Sequence, residues 1–473
     1  MDFNSIDVFQ FLPLLSVTVL SLFILFFESV LKPNDYFSFW VSVFGLLICG
    51  AISIGTVPLS GTAMSGMITV GGYGSLFAAL FIVSALFTIV FSRDYLQKTY
   101  KNVGEFYLLV IFATIGMMLM AAANDLIVLF LGLELMSICL YVLAGFLRQR
   151  TKSNEAALKY FLLGAFATGF LLYGIALVYG CAGTTNIPLI VSNAHALFGQ
   201  KIFIVGLGLI LIGFSFKVAG VPFHMWVPDV YEGAPTVITG FMSTGAKAAA
   251  FSAFILLFAH QVFGASNIKI VLSIIAASSM IFGNIVAISQ TNIKRMLAYS
   301  SVAHAGYMLT GLAAANELGR TGIIFYLAAY TFMNLGAFGI ISILEEKEER
   351  NLSIDDYAGL GTKKPILAAL MAIFMFSLSG IPPFAGFLGK YYVFAAAVKA
   401  DLTWLAILGV LSSVVGAYYY LRIVVMMYFK EGGVEVPLKI SRLSIAALSI
   451  AALFIFELGI FPSTLLDTIT KLF

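Results

Sequence analysis

Four charged side chains stand inside otherwise apolar stretches of this sequence: Glu134, Lys217, Lys247 and Lys390. A charge at the bilayer centre costs about 2.5–3.5 kcal/mol even on the lenient insertion scale, so four that served nothing would cost on the order of 10 kcal/mol. They are therefore expected to face the protein interior, near partners or water. Lysine suits proton relay, because burial readily favours its neutral amine whereas arginine stays charged. Glu134 adds a carboxylate. At about 4 Å from an ammonium it contributes about 4 kcal/mol at an effective dielectric near 20, enough to change a proton affinity roughly a thousandfold. Moving Glu134 toward or away from Lys217 would load or unload a proton. The chemistry these types point to is proton transfer within a membrane.

Each residue also has a plainer reading. Glu134 and Lys217 could be a structural pair holding two helices together, or Lys217 a hydrogen-bonded core lysine. Lys247 follows the small run Ser243-Thr244-Gly245-Ala246, which also suits close helix packing. Lys390 could snorkel to the nearer interface. His304 either relays between Lys247 and Lys390 or donates a core hydrogen bond. His224 either admits protons near a helix end or caps a loop. Lys159 reads as an interfacial anchor, and Glu28 and Glu457 as interfacial or inter-subunit contacts. The run Glu345 to Arg350 reads as a solvated loop.

The elements that must position these residues are transmembrane helices. Of the 473 residues, 61% are hydrophobic and 10% charged, against about 25% charged in soluble domains, and the mean hydropathy is +1.02. A span needs about 20 apolar residues. Fourteen stretches qualify: 11–31, 38–57, 74–92, 105–123, 125–147, 156–182, 201–221, 234–260, 268–288, 293–314, 321–344, 365–399, 402–429 and 441–461. The expected fold is an all-α polytopic membrane protein, one membrane domain over 1–473. The twelfth stretch is too long for one helix and is interrupted by Pro382 and Pro383, so two half-helices are predicted. Met1–Gln10 carries no basic residue, so the first span reads as retained and not as a signal peptide.

Sixteen Lys and Arg fall in loops that follow odd-numbered spans and five in even-numbered loops and the termini, which puts the odd loops in the cytoplasm and both termini outside. The basic residues thus report orientation, not nucleic-acid binding. The three cysteines, Cys49, Cys139 and Cys181, form no CxxC pair, which speaks against a cluster or thiolate metal site. Gly71-Gly72-Tyr73-Gly74 lacks the lysine and strand–helix setting of a phosphate cradle, and no dinucleotide fingerprint or nucleophile–base pair is seen.

An internal repeat is also present. Gly220-Val221-Pro222 in span 7 echoes Gly380-Ile381-Pro382 in span 12, and Tyr141–Gly145 in span 5 echoes Tyr307–Gly311 in span 10. Each pair is five spans apart, so the second copy is inverted in the membrane. Inverted repeats with matched broken helices are a transporter signature. A freed carbonyl near Pro222 or Pro382 would recruit water, and water carries protons.

Three stretches carry a resemblance: Phe223-His224-Met225-Trp226-Val227-Pro228-Asp229-Val230-Tyr231-Glu232-Gly233-Ala234-Pro235-Thr236, then Lys294 through His304 to Tyr307, and Ser379 through Pro383 to Lys390. Together they resemble the subunit N family of antiporter-like subunits in bacterial NADH:quinone oxidoreductase (complex I), which is similar to mitochondrial subunit 2. The likeness extends over nearly the whole chain. It implies fourteen core helices, broken helices 7 and 12, and two inverted five-helix repeats, here 105–260 and 268–429. It further implies a polar axis of Glu134, Lys217, Lys247 and Lys390. A lysine at 390 is more like this family than a sister family that carries glutamate there. The resemblance implies no redox cofactor in this chain, with NADH, FMN, iron–sulfur clusters and quinone in other subunits. It also implies other membrane-arm subunits as partners and a place in the bacterial inner membrane. The competing readings are a subunit of a multi-subunit cation/proton antiporter and a scaffold of the membrane arm that does not pump. On the main reading a proton enters from the cytoplasm near Lys247, passes His304 or water to Lys390, and leaves outward when Glu134 and Lys217 rearrange.

Overall fold

A computed structural model describes residues 11–31, 35–97, 104–264, 267–346, 350–432 and 440–472. Met1–Gln10 and the loop residues Lys32, Lys98, Lys101, Lys347 and Lys439, used above for retention and orientation, lie outside them. In chain order the long helices are α1 (Leu12–Val30), α2 (Asp35–Gly55), α3 (Gly72–Gln97), α4 (Gly104–Ala122), α5 (Leu126–Ala144), α6 (Thr151–Ala182) and α7, whose halves are Lys201–Val218 and Trp226–Gly233. They continue with α8 (Thr236–Phe258), α9 (Asn267–Ile288), α10 (Ile293–Ala314), α11 (Glu317–Leu344), α12 with halves Pro365–Ser379 and Ala385–Lys399, α13 (Thr403–Phe429) and α14 (Arg442–Ile460). Between α2 and α3 a short antiparallel hairpin pairs β1 (Ser60–Ala63) with β2 (Ile68–Gly71).

Among the described residues, twelve helices are long and apolar enough to cross a bilayer, which makes this a multi-pass membrane protein. The two expected spans outside that set depart for physical reasons. Helix α10 is 22 residues long but carries Ser300, Ser301 and His304, all buried. Helix α12 is broken in the middle, as its prolines require.

Helices α8 and α11 form the centre, each 94% buried. Helices α1, α6 and α13 sit at the periphery and turn large apolar side chains outward, such as Phe166 and Val414. That is the pattern of a lipid-facing surface. Small residues bring the helices close. A Cβ on Gly116 of α4 would lie 2.5 Å from the Met136 nitrogen of α5, and one on Gly306 of α10 would lie 2.8 Å from the Ala276 oxygen of α9. Such contacts replace the hydrophobic drive that lipid does not provide. Helix starts are capped by side chains: Asp125 accepts from Ile127, Asn292 from Lys294 and Asn316 from Gly319.

The two breaks share one local geometry, shifted by one residue from the sequence match. In α7 Ala219 adopts φ 68°, its amide donates to Phe216 O (3.1 Å), and Gly220 N donates to Ser215 O (2.8 Å). In α12 Gly380 adopts φ 87°, its amide donates to Ser377 O (3.0 Å), and Ile381 N donates to Phe376 O (3.2 Å). Both are left-handed helix terminations of the same type. Ala219, not Gly220, is therefore the counterpart of Gly380. The alignment on glycine misplaced the match because an alanine fills the left-handed position in the first copy.

Candidate functional site

Helix α5 places Glu134, Ser137 and Tyr141 on one face, at spacings of three and four. Glu134 is half-buried and accepts from Thr168 Oγ1 of α6 at 2.9 Å. Lys217 enters from the last turn of the first half of α7 and is 8% exposed. Its Nζ donates to Ser137 Oγ (2.7 Å) and Tyr141 OH (3.4 Å) and lies over the Tyr141 and Tyr160 rings at 5.4 and 5.7 Å. The tyrosine fits because position 164 is glycine, where a Cβ would lie 2.1 Å from its hydroxyl. Among the described residues no ion pair within 4.0 Å joins Glu134 to Lys217. The ammonium instead rests on Ser137, one helical turn from the carboxylate. The expected carboxylate–ammonium pair is not formed: Glu134 is held by Thr168 and Lys217 by Ser137 and Tyr141.

Helix α10 carries Ser301, His304 and Tyr307 at successive spacings of three, and all three are buried. Lys247 of α8 donates to the Ser301 carbonyl at 2.6 Å and to its hydroxyl. His304 is held on both ring nitrogens: Nδ1 pairs with Tyr326 OH of α11 (2.8 Å) and Nε2 with Tyr420 OH of α13 (2.9 Å). Tyr420 also pairs with Ser300 Oγ. The Tyr307 ring lies 5.1 Å from Lys390 Nζ, and its hydroxyl accepts from Asn284 Nδ2 at 2.9 Å. Six residues of α10, about 9 Å of rise, therefore separate the residue that holds Lys247 from the residue that faces Lys390. His304 sits midway and, among the described residues, makes no hydrogen bond to either lysine.

Lys390 shows what the second break does. Its ammonium donates to Leu378 O (3.1 Å), Ser379 O (2.8 Å) and Ser413 Oγ (2.7 Å). The carbonyls freed at the end of the first half of α12 bind the lysine of the second half. Lys390 does not snorkel; it folds back into the break and is 6% exposed. In α7 the carbonyl of Phe216, the counterpart of Ser377, is taken by Trp226 Nε1 at 3.0 Å, and the Trp226 ring stacks on Tyr160 at 4.5 Å.

The remaining residues divide. His224 lies in the α7 break, 8% exposed and packed edge-on against Phe282 at 4.6 Å, with no hydrogen bond to the lysines among the described residues. Lys159 is less an interfacial anchor than a clamp, pairing with Glu155 and Asp229 at 2.7 Å each. Asp229 and Glu232 also bind Arg295, at 2.8 and 2.9 Å. Glu28 contacts Ser38 of α2 and abuts Gly104 at the start of α4, a contact within the chain, and Glu457 accepts from Thr464 Oγ1 at 2.8 Å.

Glu345 departs from the solvated-loop reading, which holds for the exposed Arg350, while residues 347–349 lie outside the described residues. Glu345 is 1% exposed and bridges Arg150 Nη1 (2.9 Å), Tyr95 OH (3.0 Å) and Thr236 Oγ1 (2.5 Å). It thus ties the end of α11 to α3, α8 and the α5–α6 loop. Charge density made the segment look exposed; its first residue is the interior end of a helix. The sequence reading also missed the hydroxyl groups that hold the lysines and the histidine, namely Ser137, Ser301, Tyr326, Tyr420 and Ser413. A weak signal existed, since Ser137 and Ser301 each stand three residues from a singled-out residue.

With this geometry in view, the comparisons assign the class. Residues 123–416 match the membrane-domain family described as NADH:quinone oxidoreductase/Mrp antiporter. The chain belongs to this family of antiporter-like membrane subunits. NADH-quinone oxidoreductase subunit N of Trichlorobacter lovleyi is 47% identical over 92% of this chain and 91% of its own length. A chain of respiratory complex I from Thermus thermophilus superposes with a TM-score of 0.84 at 33% identity, covering 96% of this chain and 98% of that one. The fold is also that of a chain of the Mrp complex from Dietzia sp. DQ12-45-1b, with a TM-score of 0.87 at 21% identity over 98% of this chain and 97% of that one.

Proposed function

We propose that this chain is the proton-translocating, subunit N-type member of the membrane arm of a bacterial NADH:quinone oxidoreductase. The observation that carries the reading is the buried line Lys247–Ser301–His304–Tyr307–Lys390, strung along one face of α10 in a member of this family. On this reading NADH oxidation and quinone reduction take place in other subunits, which also hold FMN and the iron–sulfur clusters. The partners of this chain are neighbouring membrane-arm subunits. It lies in the inner membrane with both termini outside, and residues 105–260 and 268–429 are its two inverted repeats.

Glu134, Lys217, Lys247, His304 and Lys390 are the proton-carrying groups, and His224 is the candidate for an entry group. A proton arriving at Lys247 moves past His304, whose two tyrosine partners fix its ring, to Lys390. Its release is driven when Glu134 and Lys217 close. A carboxylate and an ammonium brought to about 4 Å attract by about 4 kcal/mol at an effective dielectric near 20. Moving one charge against 100 mV costs about 2.3 kcal/mol, so the closure is of the size needed.

The test is NADH-driven proton uptake by inverted membrane vesicles, wild type against Lys217→Ala, with assembly checked on a native gel. An assembled variant that loses uptake supports the reading. An assembled variant that behaves as wild type makes Lys217 structural and the chain a scaffold. Sodium-dependent proton exchange without NADH would instead make it an exchanger subunit.

A further inference from the structure

Helices α8 and α11 run antiparallel through the centre of the molecule and are matched along their length. Tyr330 of α11 faces Lys247, whose Nζ lies 5.7 Å from its ring. Two turns further on, Phe338 faces Gly240, where a Cβ would lie 3.2 Å from the Phe338 Cβ. Asn334 is four residues from each and shares their face. It must therefore face the part of α8 between Gly240 and Lys247. That part is a π-helical turn, Met242–Ala246, which packs against α11. A π turn widens the helix and disturbs its regular hydrogen bonding, and such turns recur at functional sites.

Asn334 is 0% exposed, yet among the described residues neither its Oδ1 nor its Nδ2 has a hydrogen-bond partner. The Tyr330 hydroxyl, 1% exposed on its residue, is likewise unpartnered. Ser301 and Asn334 both flank that hydroxyl, but neither meets it with the geometry of a hydrogen bond. Unpartnered polar atoms of Asn334 and Tyr330 thus lie next to Ser301, the serine that holds Lys247. A buried amide left wholly unpaired is costly, and polar groups that face one another beyond hydrogen-bond reach are bridged by water. A buried water needs two to four polar partners; Asn334, Tyr330 and Ser301 supply them.

We propose that Asn334 and Tyr330 hold water against the π turn of α8, and that this water is a proton-input branch to Lys247. The branch runs from Lys247 and Ser301 through Tyr330 to Asn334, one turn nearer the Leu344 end of α11. Nothing in the sequence marks it, since one asparagine in an apolar helix reads as packing. The inference rests on the proton-translocation reading and adds to it the side on which Lys247 is charged.

The test uses the assembled complex in inverted vesicles. Asn334→Leu keeps the shape of the side chain and removes its ability to bind water, whereas Asn334→Ser keeps a polar group and leaves room for water. The expected result is NADH-driven proton uptake at least about tenfold lower in the leucine variant, a barrier increment of about 1.4 kcal/mol, and largely restored in the serine variant. Leucine uptake equal to wild type overturns the branch, and so does equal loss in both assembled variants, which would mark a packing role. Should the leucine variant fail to assemble, a map of the wild-type complex that resolves ordered water decides: density within hydrogen-bond distance of Asn334 supports the branch, and a dry site refutes it. Absence of uptake in wild type would instead overturn the function reading and leave the water site to the map.

Discussion

Replacing Gly380 with alanine puts a methyl group where the Lys390 ammonium rests. A Cβ there would lie 2.9 Å from Nζ and 3.0 Å from Cδ of Lys390. Two costs follow. The backbone sits at φ 87°, and a non-glycine residue in a left-handed conformation costs roughly 1–2 kcal/mol. The lysine must also give up part of its hold on Leu378 O and Ser379 O, and hydrogen bonds from a charged group contribute roughly 1.5–3 kcal/mol each. Losing one of them brings the total to about 2.5–5 kcal/mol. Because the lysine end moves more easily than the backbone, the larger share should appear as a displaced Lys390 rather than as unfolding. The assay is the ratio of proton uptake to NADH oxidation in vesicles, read beside the melting temperature of the purified complex. The expected outcome is an assembled complex with a lowered melting temperature and a sharply lowered ratio. Ala219→Gly at the matching break is the control: it relieves up to about 1–2 kcal/mol of backbone strain, adds no atom beside Lys390, and should leave the ratio unchanged. A Gly380→Ala complex that pumps and melts as wild type would refute the claim that the break holds Lys390.

Two further predictions concern the groups that the sequence did not mark. Glu345→Ala leaves Arg150 without its 2.9 Å partner. Arg150 is 20% exposed, so the loss stays below the ~3–5 kcal/mol of a fully buried pair; the assembled fraction on a native gel should still fall, with Glu345→Gln retaining more, and unchanged assembly in the alanine variant would contradict the buried clamp. Tyr420→Phe keeps the ring but leaves His304 Nε2 and Ser300 without their partner, a loss of about 1–3 kcal/mol. It should slow proton uptake roughly 5- to 100-fold with assembly intact, and wild-type uptake would remove Tyr420 from the path.

The features readable in the sequence are those that violate the bilayer's rules. Lys247 inside an apolar span, Pro222 and Pro383 inside helices, and the long stretch that ends at Lys399 each carry a visible penalty, so each announces a constraint. The partners were less legible. Ser301 and Tyr420 are unremarkable in an apolar helix, and what makes them significant is a contact more than a hundred residues away between Tyr420 and His304. The register of the repeat slipped by one because Ala219 takes a conformation that sequence reasoning reserves for glycine. Glu345 was misjudged because its acidic neighbours suggested solvent, while its own place is set by Arg150, Tyr95 and Thr236 from three other elements. The π turn before Lys247 left no sign beyond a run of small residues.

The polarity that makes α10 useful also bears on how the molecule is made. With His304, Ser300 and Ser301 along it, this helix gains less from entering lipid alone than its neighbours do, since polar groups in a span need partners in place. Those partners come from both directions along the chain: α9, whose backbone it touches at Ala276 through Gly306, and α11 and α13, which are synthesised later and bring Tyr326 and Tyr420. Helix α10 should therefore leave the insertion machinery paired with α9 and reach its final depth only once α13 has arrived, so the element that lines the path is among the last to be fixed in the membrane.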